Sequence, residues 1–330
     1  MGQQSAFDYL SHGQIPFFRL PAAPLASGIP AGAAAVLLGV PWDGGTTYRP
    51  GARFGPFEIR RVSALVQGHH REHGLSPFEV LGAVDGGNVV FPPFDAEAMR
   101  RAVEASVAGV LLAGAAPFLV GGDHSLALPA LRALAARLGP VAVVHVDAHL
   151  DTSGPEVWGE RHHHGTPFRH ALEESLIAPG QLHQVGIRGP WGGAQDGELG
   201  SSHGARPRTM DEISDRGVAA VAAEIRQAIG ARPAYLSFDV DAVDPAHAPG
   251  TGTPVPGGLS SREAIRLLRS LAGLSLVGMD VVEVCPPFDH ADLTSHLAAH
   301  LLFEGLALAA LNRREERFQV PSADAARQPS

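Results

Sequence analysis

Val143-Val144-His145-Val146-Asp147-Ala148-His149-Leu150-Asp151 is the stretch on which the reading of this chain turns. An apolar run ends there in Asp-x-His-x-Asp. A strand sends successive side chains to opposite faces, so an extended backbone would send Asp147, His149 and Asp151 off on one side. Like charge and lost solvation oppose such crowding. A metal removes the objection, because carboxylate oxygens and a neutral imidazole are among its usual ligands.

Outward from this segment, apolar runs alternate with helical patterns. Strands are expected at Ala34–Val40, Val80–Val84, Phe118–Val120, Val141–Val146, Leu182–Ile187, Ala234–Val240 and Ser275–Val284. Helices are expected at Asp95–Ala113, Leu126–Leu138, Thr166–Leu176, Glu212–Ile229, Ser261–Leu271 and Leu293–Leu311. Runs such as Val141–Val146 are apolar on both faces, as a parallel strand covered by helices requires. The fold class is therefore α/β with a mostly parallel central sheet. Ligands of such sheets gather beyond the carboxyl ends of the strands, and polar clusters do follow the strands here. Gly121-Gly122-Asp123-His124 follows one, Asp239-Val240-Asp241 closes another, and Glu283 closes a third.

Composition narrows the class. With 45% hydrophobic and 18% charged residues the chain reads as folded rather than disordered. Its 25 basic against 34 acidic residues, net charge -9, argue against a nucleic-acid footprint. Cys285 is the single cysteine, so no internal disulfide forms. A reducing compartment and a cytoplasmic location are expected, since no secretory signal is evident. Ala105–Gly122 lacks charge but is broken by Gly109, Gly114 and Pro117, so it reads as a helix end, a turn and a strand rather than a membrane span. Residues 1–32 read as an N-terminal arm, 33–312 as one catalytic domain and 313–330 as a polar tail.

His124, Asp147, His149, Asp151, Asp239 and Asp241 make two imidazoles and four carboxylates. One ion does not need so many ligands, but two ions bridged by aspartates do. Hard oxygen donors favour manganese over zinc, with nickel as an alternative. Two such ions would activate a shared water as a nucleophile, and Asp151 is placed to orient it.

Three segments carry a family resemblance: Gly121-Gly122-Asp123-His124-Ser125, Val146-Asp147-Ala148-His149-Leu150-Asp151 and Ser237-Phe238-Asp239-Val240-Asp241-Ala242-Val243-Asp244-Pro245. They resemble the signatures of the ureohydrolases, which include arginase, agmatinase and the guanidino-acid hydrolases. Pro41-Trp42-Asp43-Gly44-Gly45-Thr46, Arg49–Pro56 and Pro249-Gly250-Thr251-Gly252-Thr253-Pro254 extend the likeness over roughly residues 34–312. The resemblance implies a three-layer α/β/α domain holding two Mn(2+). His124, Asp147, Asp151 and Asp239 would hold one ion. His149, Asp147, Asp239 and Asp241 would hold the other. It implies hydrolysis of a guanidino group to urea and an amine, with His164 as proton shuttle and Glu283 pairing with the guanidinium. It also implies a homotrimer or homohexamer.

The loop from Thr152 to His163 does not resemble that of arginase, while His164-Gly165-Thr166-Pro167-Phe168 resembles agmatinases and guanidino-acid hydrolases. Substrate contacts are expected from Trp158, Glu160, Arg161 and Glu283. Agmatine, whose distal cation Glu156 or Glu160 would meet, is the first expectation. A guanidino acid, or a proclavaminate-type amidine whose carboxylate Arg161 would meet, is the alternative. A zinc amide deacetylase or a non-catalytic binding protein on the same fold is the remote one. His162 and His163 carry no assigned role. His69, His70 and His73 read as a solvated loop, and Cys285 as a small buried hydrophobe.

Overall fold

Alternate residues of one strand feed two separate cores. In the computed structural model, which describes residues 15–191, 193–315 and 320–321, the strands are β1 (Ala35–Val40), β2 (Val84–Asn88), β3 (Ala116–Gly121), β4 (Val141–Val146), β5 (Ile177–Ile187), β6 (Arg206–Thr209), β7 (Pro233–Asp239) and β8 (Ser275–Val282). From β4, Val141 and Val143 pack with Met99, Val103, Leu131 and Phe168. Ala142, Val144 and Val146 pack on the opposite face with Val221, Ile225, Leu267 and Leu301. Helices Ala96–Leu112, Ala127–Leu138 and Pro167–Glu173 therefore cover one face. Helices Gly55–Ser63, Val218–Ile229, Ser261–Ser270 and Leu293–Arg314 cover the other. The result is a three-layer α/β/α arrangement.

All eight strands pair in parallel in the order β2-β1-β3-β8-β7-β4-β5-β6. This order matters for the site. The segments carrying His124, Glu283, Asp239 and Asp147 follow β3, β8, β7 and β4, which are four adjacent strands at the centre of the sheet.

Several elements depart from the sequence expectation. Val80–Val84 is not a strand; Pro77 opens a helix to Leu81, Gly82 closes it at φ 53, and β2 starts only at Val84. The helix expected over Glu212–Ile229 breaks at Gly217 (φ 78) into Met210–Arg216 and Val218–Ile229. Edge strand β6 lacks apolar alternation, three of its four residues being exposed, so nothing in its pattern announced it. Residues 105–122 hold a helix end and β3, as expected. Helix Leu293–Arg314 is long and apolar enough to cross a bilayer, but 83% of its apolar window is buried inside the molecule.

Of the expected arm, residues 1–14 lie outside the described residues, as do 316–319 and 322–330 of the expected tail. From residue 15 the lead-in is docked rather than loose. Phe17 and Phe18 are fully buried, and their backbone N–H groups donate to Asp85 and Ser63. The histidine loop is a correction too. His70 is buried, and its Nε2 lies 2.8 Å from Glu304 on the last helix, which Arg269 also holds. Its carboxylate partner stands 234 residues away, beyond the reach of a local reading.

Candidate active site

The six metal-ligand candidates converge. Strand alternation alone does not bring them together, because β4 ends at Val146 and β7 at Asp239. Local turns finish the work. Asp147 accepts from the backbone N–H of His149 (2.6 Å), and Asp239 accepts from that of Asp241 (2.8 Å). Asp151 sits at φ 50 and Glu283 at φ 64, in the left-handed region that non-glycine residues adopt at a cost of about 1–3 kcal/mol. On the third segment Gly122 lets the chain pass against residue 42; a Cβ there would lie 2.1 Å from the Trp42 carbonyl oxygen.

His124 Nδ1 lies 3.2, 2.9 and 3.4 Å from carboxylate oxygens of Asp147, Asp151 and Asp239. His149 Nδ1 lies 3.3 and 3.0 Å from Asp147 and Asp241. Ligands held about 2.1 Å from an octahedral ion are about 3.0 Å apart along an edge, so these spacings suit coordination spheres. Asp147 belongs to both groups of donors.

The surrounding hydrogen bonds turn one ring nitrogen toward the place where an ion would sit. Ser237 Oγ donates to Asp280 Oδ1 (2.7 Å), and Asp280 also accepts from Tyr235 (2.8 Å). Ser237 has one proton, so at 2.8 Å it must accept from His124 Nε2–H. His124 Nδ1 is thereby the ring atom turned to the cluster: it is buried, makes no hydrogen bond and faces three carboxylates. Against the effect of burial, these raise the ring's pKa well above its ordinary value when no cation is there. Burial, with the charges of Asp241 and Asp147, pushes Asp239 well above the usual carboxylate range. Without cations the cluster must hold protons in their place. The donor set and the orphaned nitrogen fit divalent ions.

Beside the cluster, His164 Nδ1 donates to Glu283 Oε1 (2.9 Å), while its Nε2 lies 2.7 Å from the Thr47 hydroxyl. Burial would depress this histidine, but the charge and hydrogen bond of Glu283 outweigh it and raise the pKa to about 9. Glu283 Oε1 also accepts from the His124 backbone N–H (2.9 Å), whereas its Oε2 is buried and has no hydrogen-bond partner.

A cavity of about 280 Å³ is lined by His149, Asp151, His164, Asp239 and Asp241 together with Val157, Trp158, Pro190, Trp191, Ser153, Asp196 and Arg188. Glu283 lies behind His164 and does not line it. Trp158, one of the expected substrate contacts, is among the residues lining the cavity. Glu160 and Arg161 do not line this cavity; both are exposed. The short helix Pro155–Trp158 ends at Gly159 (φ 73), ahead of both residues. The His162 ring lies tilted against that of His170, with centroids 4.5 Å apart, and His163 lines the cavity.

Sequence reasoning missed the supporting residues. His145, Gln184, Ser237 and Asp280 are buried in or beside apolar strands, and only strand register shows their contacts. Arg188 donates to carbonyl oxygens of Gly186, Asp241, Ala242, Val255 and Pro256, so it braces the Asp241 turn.

An all-parallel sheet with a buried carboxylate–imidazole cluster at its central carboxyl ends is an α/β scaffold carrying a donor set able to hold metal ions. Residues 33–307 match the arginase family. Proclavaminate amidinohydrolase of Streptomyces clavuligerus is 48% identical over 291 residues, covering 88% of this chain and 91% of that protein. Its solved structure superposes with a TM-score of 0.85 at 47% identity, covering 90% and 97% of the two chains. Guanidinopropionase of Pseudomonas aeruginosa is 45% identical, covering 89% of this chain and 91% of its own. Mitochondrial agmatinase of Gallus gallus is 40% identical, covering 90% and 86%. The chain belongs to the arginase family, the ureohydrolases that cleave linear guanidino C–N bonds.

Proposed function

We propose that this enzyme uses two manganese ions to hydrolyse a small carboxylate-bearing guanidino compound to urea and an amine. The observation that carries the reading is the convergence of His124, Asp147, His149, Asp151, Asp239 and Asp241, with one imidazole nitrogen orphaned among carboxylates. His124, Asp147, Asp151 and Asp239 would hold one ion, and His149, Asp147, Asp239 and Asp241 would hold the other. The oxygen-rich donor set favours manganese, with nickel second. When bound, the pair supplies an activated water and positive charge at the point of attack.

The chain's own groups do the rest. Glu283 Oε2, buried and unpartnered, receives guanidinium N–H groups, an interaction strengthened by opposite charge. Asp151, beside His124 at the edge of the cluster, would orient the attacking water. His164 holds a proton near neutral pH and passes it to the departing amine. Thr47, at 2.7 Å, keeps the imidazole in place.

The preference for a carboxylate tail rests on similarity, 48% and 45% to proclavaminate amidinohydrolase and guanidinopropionase against 40% to an agmatinase. Agmatine, the first expectation from sequence, keeps one observation in its favour. The Asp196 carboxylate and the indoles of Trp158 and Trp191 edge the cavity and suit a distal ammonium. Urea release from 3-guanidinopropanoate, 4-guanidinobutanoate, agmatine and arginine, with manganese added, separates the readings. Turnover of agmatine alone defeats the carboxylate preference, and no urea from any substrate counts against the function. The same reading has the enzyme act in the cytoplasm as a homotrimer or homohexamer. Exposed Phe54 and Phe57 suit self-association, and sedimentation as a monomer refutes it.

A further inference from the structure

Strand β5 supplies none of the proposed ligands, yet it touches the loop that carries three of them. Gln184 and His145 are register partners across the β4–β5 ladder. Both are almost wholly buried, at 1% and 0% exposure. The Gln184 amide nitrogen lies 2.7 Å from the Leu150 carbonyl oxygen and 3.2 Å from His145 Nδ1. A backbone carbonyl only accepts, so the amide must turn its NH2 toward Leu150. Its second N–H then serves His145 Nδ1. That fixes the histidine tautomer: Nδ1 accepts, and Nε2–H donates to Asp147 Oδ2 at 2.7 Å.

We propose that Gln184 is a positioning residue of the metal centre, acting on two ligands at once. Through His145 it aims the Asp147 carboxylate, which both proposed ions share. Through the Leu150 carbonyl it pins the backbone just before Asp151, whose φ of 50 a free loop would abandon. His145 lies close enough to the cluster to be taken for a ligand. Its tautomer assigns it instead as a donor behind Asp147, because the nitrogen facing the cluster carries the proton. Outer partners of this kind typically change metal affinity by about 10–100-fold.

This inference rests on the two-ion reading. The test is manganese binding to the metal-free protein, followed by titration calorimetry and by the electron paramagnetic resonance of the exchange-coupled pair. Gln184→Met keeps the volume and removes both donors. It should bind manganese 10–100-fold more weakly, with an altered coupled spectrum and an unchanged circular dichroism spectrum before metal is added. If Gln184→Met does not fold, His145 carries the test. His145→Gln, which can still donate to Asp147, should retain tighter binding than His145→Leu. Wild-type affinity and spectrum in Gln184→Met, or equal weakening in the two His145 variants, overturns the proposal while leaving the metal centre standing. A wild-type protein that binds no manganese overturns both.

Discussion

Replacing Ser237 with alanine removes one oxygen from the middle of the sheet and strands two buried groups. His124 Nε2–H loses its acceptor at 2.8 Å, and Asp280 Oδ1 loses its donor at 2.7 Å. A neutral hydrogen bond contributes about 1 kcal/mol and one to a carboxylate about 2 kcal/mol. Ser237 is fully buried, so no bulk water replaces either bond. The metal-free Ser237→Ala protein should therefore be about 3 kcal/mol less stable. Freed of its tether, His124 can rotate or take the other tautomer, and manganese should bind about 10–100-fold more weakly. Urea unfolding of the metal-free protein measures the first effect and titration calorimetry the second. A loss under about 0.5 kcal/mol with unchanged manganese affinity refutes the tautomer assignment, and with it the orphaned nitrogen of His124.

His164→Asn should lower turnover by roughly 10²–10⁴-fold while leaving metal content intact; full turnover across neutral pH removes the shuttle role. At Glu304, burial pushes the carboxyl up, but hydrogen bonds from His70 and Arg269 outweigh it, so its folded pKa lies below the ordinary 4.5. A depressed carboxyl adds stability above its unfolded pKa and loses it as pH falls through the folded value. Glu304→Gln should thus cost roughly 2 kcal/mol at neutral pH, and its gap from the wild type should close in acid below about pH 4. A gap that stays constant between neutral and acid unfolding experiments contradicts that assignment.

The metal-ligand candidates were legible because each stands just past an apolar run, where a parallel sheet presents its ligands. Convergence of β3, β8, β7 and β4 was not legible, since strand order depends on crossovers that leave no local mark. His145 and Gln184 lie inside strands, and a polar residue in an apolar run shows its partner only once register is known. The His70–Glu304 pair joins a loop to the last helix, so its histidines looked solvated. In the substrate loop, charge drew attention to Glu160 and Arg161. The wall is instead built from Val157, Trp158, Pro190 and Trp191, whose backbone path no spacing rule specifies. The misread strand at Val80–Val84 followed hydrophobicity alone and gave too little weight to Pro77 and Gly82.

The central claim is that His124, Asp147, His149, Asp151, Asp239 and Asp241 surround a pair of divalent cations. Manganese counted by mass spectrometry after loading and exhaustive dialysis tests it most directly, with Asp147→Ala measured beside the wild type. The account predicts two ions per wild-type chain and a loss of both from the variant, because Asp147 stands between the two donor groups. A wild-type chain that retains none, or a variant that retains both, contradicts it.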